Sequence, residues 1–175
     1  MKKDLSKFIP ALIVLIVTAV FCVTVISGIR LKLDYNNIVK GFDKEAIKTD
    51  RHGNCLSNDL SAYVSTAKSF VSYAEGIWGS TDEIAKAKEL IKAFDENSSA
   101  FYGYGIYTEL ASVIENINSR LGENGNTSDL AELLSDQAKI KRAYSGDYLE
   151  TSEKLDTYLE GFPRSVLAKL FNIGK

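Results

Sequence analysis

A chain of 175 residues with 45% hydrophobic and 25% charged side chains is long enough to bury a core of its own. Its net charge of −2 provides no basic field for nucleic acid, and two cysteines are too few for a disulfide-stapled scaffold. Without Lys2, Lys3, Lys7 and Asp4, residues 30–175 carry 18 basic and 22 acidic side chains, a mixed surface that water solvates.

The first element is the most telling. From Phe8 to Ile29 there is no charge, and 17 of the 22 residues are apolar. As a helix this run is about 33 Å long, enough for a hydrocarbon core of about 30 Å. A signal peptide is the rival reading, but its apolar core is usually about 7–15 residues and ends at a small-x-small site. Here Gly28 is followed by Ile29-Arg30-Leu31-Lys32, the start of a new helical face. Cys22 follows Phe21 in mid-span, so a lipoprotein site does not fit either. The expectation is a retained anchor over residues 1–30, contacting lipid through residues 8–29. Lys2, Lys3 and Lys7 lie closer to the span than Arg30, Lys32 and Lys40 do as a group. The positive-inside rule then puts the N-terminus in the cytoplasm and the domain outside. Cys22 in the span and Cys55 in the domain cannot pair with each other.

Between Pro10 and Pro163 no proline interrupts a helix, and apolar residues recur three and four apart almost throughout. Leu31, Tyr35, Ile38, Val39, Phe42, Ala46 and Ile47 extend the first helix to about Lys48. Asp50 to Asn54 reads as a turn. Leu56, Leu60, Val64, Ala67, Val71, Ala74 and Trp78 predict a second helix closed by Gly79. Ser80 or Thr81 then caps a third, with Glu83 near the position of a capping box. That helix carries Ile84, Ala87, Ile91 and Phe94, and Phe101-Tyr102-Gly103-Tyr104-Gly105 is the expected break. The stripe resumes with Leu110, Val113, Ile114, Ile117 and Leu121. Residues 122–126 are the clearest loop. Thr127 or Ser128 caps a last long helix with Leu130, Leu133, Leu134, Ala138, Tyr144, Tyr148, Leu155 and Leu159, stopped at Gly161-Phe162-Pro163. The predicted fold is all-α: a transmembrane helix, then an elongated up-and-down antiparallel bundle of about four long helices over 31–162.

The tail, 163–175, puts Val166, Leu167, Leu170, Phe171 and Ile173 on one side, with Arg164, Lys169 and Lys175 as basic groups. The plain reading is a short helix folded back on the bundle. The sharper one is a membrane-surface contact through Leu167, Leu170 and Phe171.

The run Gly161-Phe162-Pro163 through Leu170-Phe171 resembles the C-terminal signature of the LemA family. Tyr35-Asn36-Asn37-Ile38-Val39 has the form of that family's Tyr-Asn-x-x-Val entry after its membrane helix. Asp59-Leu60 opens a helix reaching Glu75, as in the family, and Tyr148 stands at the tyrosine of its last-helix motif. The chain departs from the pattern at Ala62, where the family has proline, and at Leu149, where it has asparagine. The family's arginine pair before Asp-Leu is absent; Arg51-His52 lies displaced upstream. The resemblance implies a membrane-anchored antiparallel bundle. It supplies no reaction, since the family has no established catalytic activity.

The residues point away from catalysis. His52, the one histidine, has only Asp50 and Cys55 near it in sequence, short of a zinc ligand set and without an orienting group for a Cys–His nucleophile. Gly103 and Gly105 alternate with tyrosines and form no phosphate cradle, and Glu-x-x-His is missing. No catalytic residue, cofactor or metal is expected. Phe94, Phe101, Tyr102, Tyr104 and Tyr107 suit a core; left partly exposed, Phe101, Tyr102, Tyr104 and Tyr107 would form a partner-binding patch. Two functions stay open. One is a membrane-tethered scaffold or adaptor for a membrane or envelope protein, compatible with a homo-oligomer. The other is a sensor or ligand-binding module, for which Asn97 and Ser98 are the candidate buried polar residues.

Overall fold

The computed structural model describes residues 2–50, 53–122 and 127–174. Among them there are six helices and no strand: α1 (Lys2–Ala46), α2 (Leu56–Trp78), α3 (Asp82–Asp95), α4 (Ala100–Leu121), α5 (Thr127–Leu159) and α6 (Arg164–Leu170). A long apolar N-terminal helix followed by a helical bundle is the architecture that the periodicity predicts.

α1 is a single helix of 45 residues. From Ile9 to Val23 every side chain is exposed, with Val14 and Leu15 at 65% and Phe21 at 67%. Such a stretch is long and apolar enough to cross a bilayer. Its two threonines suit that setting, because Thr18 Oγ1 and Thr24 Oγ1 donate to the carbonyls of Val14 and Val20, both at 2.8 Å. Neither hydroxyl is left needing water.

The chain divides into two compact units, residues 1–38 with 153–175, and residues 39–152. In the first, Leu31, Tyr35, Leu155, Leu167, Ala168 and Ile173 are buried. Tyr158 donates to Asp34 Oδ2 at 2.7 Å, joining α5 to α1. A Cβ at Gly28 would overlap the Phe171 ring, so glycine is what lets the tail reach α1 there. Of the three residues expected to touch a membrane surface, Leu167 is therefore buried and Phe171 half-buried against Gly28, while Leu170 is exposed. The tail is folded back, and its outward apolar side is a different one from that expected.

In the second unit α2, α3 and α4 pack on one another around Leu60, Phe70, Ile84, Leu110 and Ile117. Gly79, at φ 74, closes α2 and donates its N–H to Glu75 O at 2.7 Å. Thr81 is the cap of α3 and accepts from Ile84 N–H. Glu83 stands one residue short of the capping-box position and pairs with Arg120 at 2.8 Å. The break expected at 101–105 lies instead at residues 96–99. Ser99 caps α4, and the Asp43 carboxylate accepts from Ser99 Oγ and Phe101 N–H, both at 3.0 Å. An anion at a helix N-terminus is favourably placed, so α4 begins where α1 supplies one. Gly103 and Gly105 then lie inside the helix because rings fill the space beside them. Phe94 stands 3.1 Å from an added Cβ at Gly103, and the Tyr148 hydroxyl 3.3 Å from one at Gly105.

On α5 the periodicity is right and the face is partly wrong. Leu133 and Ile140 are buried, whereas Leu134 is 56% exposed and Ala138 is exposed. Residues 123–126 of the expected loop, like His52, lie outside the described residues; Thr127 and Ser128, expected to cap the last helix, are the first described residues of α5 itself.

Candidate functional site

Asp59 is the one buried charged side chain among the described residues, 6% exposed in the first turn of α2. Its helix position explains the charge: the first turn presents backbone N–H groups that favour a carboxylate. Lys139 Nζ donates to Oδ1 at 2.7 Å, and the Tyr144 hydroxyl donates to Oδ2 at 3.2 Å. Both partners come from α5, 80 and 85 residues along the chain. The hydrogen bond to Asp59 raises the Lys139 pKa above its ordinary value. Burial, reinforced by the Asp59 charge, pushes Tyr144 up to about 12. With both oxygens engaged, the carboxylate acts as a polar clamp between α2 and α5. It is not a free base.

A set of aromatic rings makes further contacts among these helices. Tyr104 stacks on Tyr148 at 4.3 Å between centroids, and Phe101 on the same ring at 5.1 Å. Phe42 meets both Phe101 and Tyr148 edge-on. Tyr104 touches Tyr107, and Tyr107 meets the edge of Tyr63 at 4.9 Å. The ladder thus ties α1, α2, α4 and α5 within the 39–152 unit. Tyr107 also donates a long hydrogen bond to Gln137 O at 3.4 Å. Burial raises the pKa of Tyr63 and of Tyr104, and pushes that of Tyr107 up to about 12.

The four residues expected as a partner patch therefore do not make one. Phe101, Tyr104 and Tyr107 are buried, at 7, 4 and 3% exposure, and only Tyr102 faces out. Large rings at helical spacing opposite another helix are worth more stacked than wet. Asn97 and Ser98 are exposed in the α3–α4 turn, and Asn97 Oδ1 accepts from Ser99 N–H. The buried polar residue is Asp59 instead. Its signal was a charge among the apolar positions Leu56, Leu60 and Tyr63; nothing local pointed to Lys139 or Tyr144. Cys55 is buried beside this cluster, and Cys22 is exposed on the apolar stretch of α1. Among the described residues no three His, Cys, Asp or Glu side chains group as metal ligands.

A cleft of about 470 Å³ opens between α4 and α5. Ala111, Ile114, Leu130 and Leu133 line it with Gln137, and Leu134 stands at its exposed side.

The raised tyrosine and lysine values imply an alkaline limit on stability. A group with a raised folded pKa stabilises fully below its unfolded value and loses that contribution as pH rises through the folded one. Unfolded tyrosine ionises near pH 10, whereas Tyr107 and Tyr144 hold their protons to about 12. Stability is expected to fall as pH rises from about 10 towards 12. Phenolate absorbance should show some tyrosines ionising only as the helical signal is lost, and Tyr107→Phe should flatten the slope. All nine tyrosines titrating together before unfolding would contradict this.

No protein-family model matches the chain, and no curated protein or solved structure matches it.

Proposed function

We propose that this chain is a single-pass, membrane-anchored helical scaffold of LemA-like kind, presenting its bundle to a membrane or envelope protein on the non-cytoplasmic side. The observation that supports it best is α1: one helix whose residues 9–23 expose apolar side chains all round and whose later residues Val39, Phe42 and Ala46 are buried in the bundle. A helix that is apolar on every face and uncovered by protein suits a bilayer. The Asp59 clamp and the ring ladder fit a rigid body used for contact, in which the polar groups are spent on holding helices together.

The cleft of about 470 Å³, where Glu115, Asn118, Gln137 and Lys141 stand beside the apolar residues, favours a second reading, a small ligand held between α4 and α5.

Crosslinking in intact membranes followed by purification separates the two. A stoichiometric protein partner is expected, and the chain should stay in the pellet through carbonate washing. Recovery of a mature form beginning near residue 30 would mean cleavage and end the anchor reading. Sidedness needs an introduced thiol, because Cys55 is only 5% exposed. Leu149→Cys, at a site 58% exposed, should react with a membrane-impermeant reagent on cells stripped of any outer layer. Reaction only after the membrane is opened would place the bundle in the cytoplasm.

A further inference from the structure

The tail keeps apolar side chains that no described part of the first unit covers. Val166 and Leu170, four residues apart on α6, are 47% and 67% exposed, and Phe162 in the turn before the helix is 88% exposed. Their neighbour Phe171 lies on Gly28, two residues before Arg30 ends the uncharged run of α1. With residues 8–29 in hydrocarbon, that contact sits at the level where acyl chains give way to headgroups. α6 has seven residues, about 10 Å of helix, so it cannot leave that level by much. Lys169 is exposed, as are Arg30 and Lys32 on α1, giving cationic groups at the same height. Apolar side chains beside cations match the interfacial layer of an anionic bilayer.

We infer that the exposed apolar residues of the tail, Val166 and Leu170 on α6 with Phe162 in the turn before it, dock into the headgroup layer of the bilayer that α1 crosses, with Gly28 as the seat that sets its depth. The chain then holds the membrane at two points, and the second fixes the rotation of the first unit at the surface. This rests on the anchor reading, and the test keeps the two apart. Gly28 has a role in it that no turn requires: a larger residue would push Phe171, and the tail with it, away from α1.

The test uses the full chain in phosphatidylcholine–phosphatidylglycerol vesicles, with Trp78→Phe removing the one native tryptophan. Leu170→Trp, and separately Phe162→Trp, then report on the tail, and Val17→Trp reports on the span. Both positions in the tail are exposed, so the substitutions displace no core. Each tail reporter is expected to emit blue-shifted and to lose most of its intensity to lipids carrying a nitroxide near the headgroup. Acrylamide in the water should quench it weakly. Adding Gly28→Leu should abolish the headgroup-nitroxide quenching at position 170, while lipids carrying a nitroxide deep in the acyl chain should still quench position 17. If Val17→Trp is quenched by lipid but the tail reporters are quenched by acrylamide, the anchor stands and the docking is wrong. Tail reporters shielded from both quenchers would mean that protein covers this side, which also overturns it. If position 17 itself meets water, anchor and docking fall together.

Discussion

Leu133→Asp is expected to unfold the 39–152 unit, whereas Leu134→Asp, one residue further on, is expected to leave its stability within about 0.5 kcal/mol. The two leucines differ only in the face they present. Leu133 is 2% exposed in the wall of the α4–α5 cleft; Leu134 is 56% exposed at its edge. An unpaired carboxylate at the first position costs several kcal/mol, out of a total of about 5–15 kcal/mol for a domain of this kind. At the second it meets water. Leu155→Asp, at 3% exposure, should have the disruptive effect in the first unit. Circular dichroism melts of the detergent-solubilised chain would decide. Equal loss in the Leu133 and Leu134 variants would mean that α5 turns a different face to α4.

The second large effect is expected at the clamp. Lys139→Met leaves Asp59 buried with only the Tyr144 hydroxyl, and should destabilise by about 1–3 kcal/mol. The loss stays modest because the Lys139 side chain is 40% exposed and water can partly replace it. Asp59→Leu removes the charge but strands the lysine and the phenol. The double variant should therefore cost less than the sum of the two, with a coupling of about 0.5–3 kcal/mol. Urea unfolding of the four proteins closes the cycle. Additive losses would show that the 2.7 Å contact carries no net interaction. The same cycle with Tyr144→Phe tests whether the second oxygen matters.

Local sequence was enough to read what depends on near neighbours. An uncharged apolar run announces its own helix, because main-chain groups in it have no better partner than one another. Gly79 and Gly161-Phe162-Pro163 mark helix ends because backbone freedom, or its loss, acts on adjacent residues. The order and extent of α1, α2 and α5 follow from these signals. The face of a helix is less sharply encoded: apolar neighbours such as Leu133 and Leu134 are 100° apart on an ideal helix and both satisfy a three-four repeat. Only the helix packed opposite decides which one goes in. At the start of α4 the local cap, Ser99 accepting from Tyr102 N–H, is joined by Asp43, 56 residues away, which sequence neighbours do not announce. The fate of the rings belongs to the same class. Phe101, Tyr104 and Tyr107 could have faced solvent until Tyr148 and Tyr63 came to lie against them. Asp59 was visible as a charge out of place, but its partners stand 80 and 85 residues on. The seat of Phe171 on Gly28 spans nearly the whole chain. Helix formation is decided within a turn or two, so sequence reads it; burial and pairing are decided between distant segments, so only the tertiary structure does.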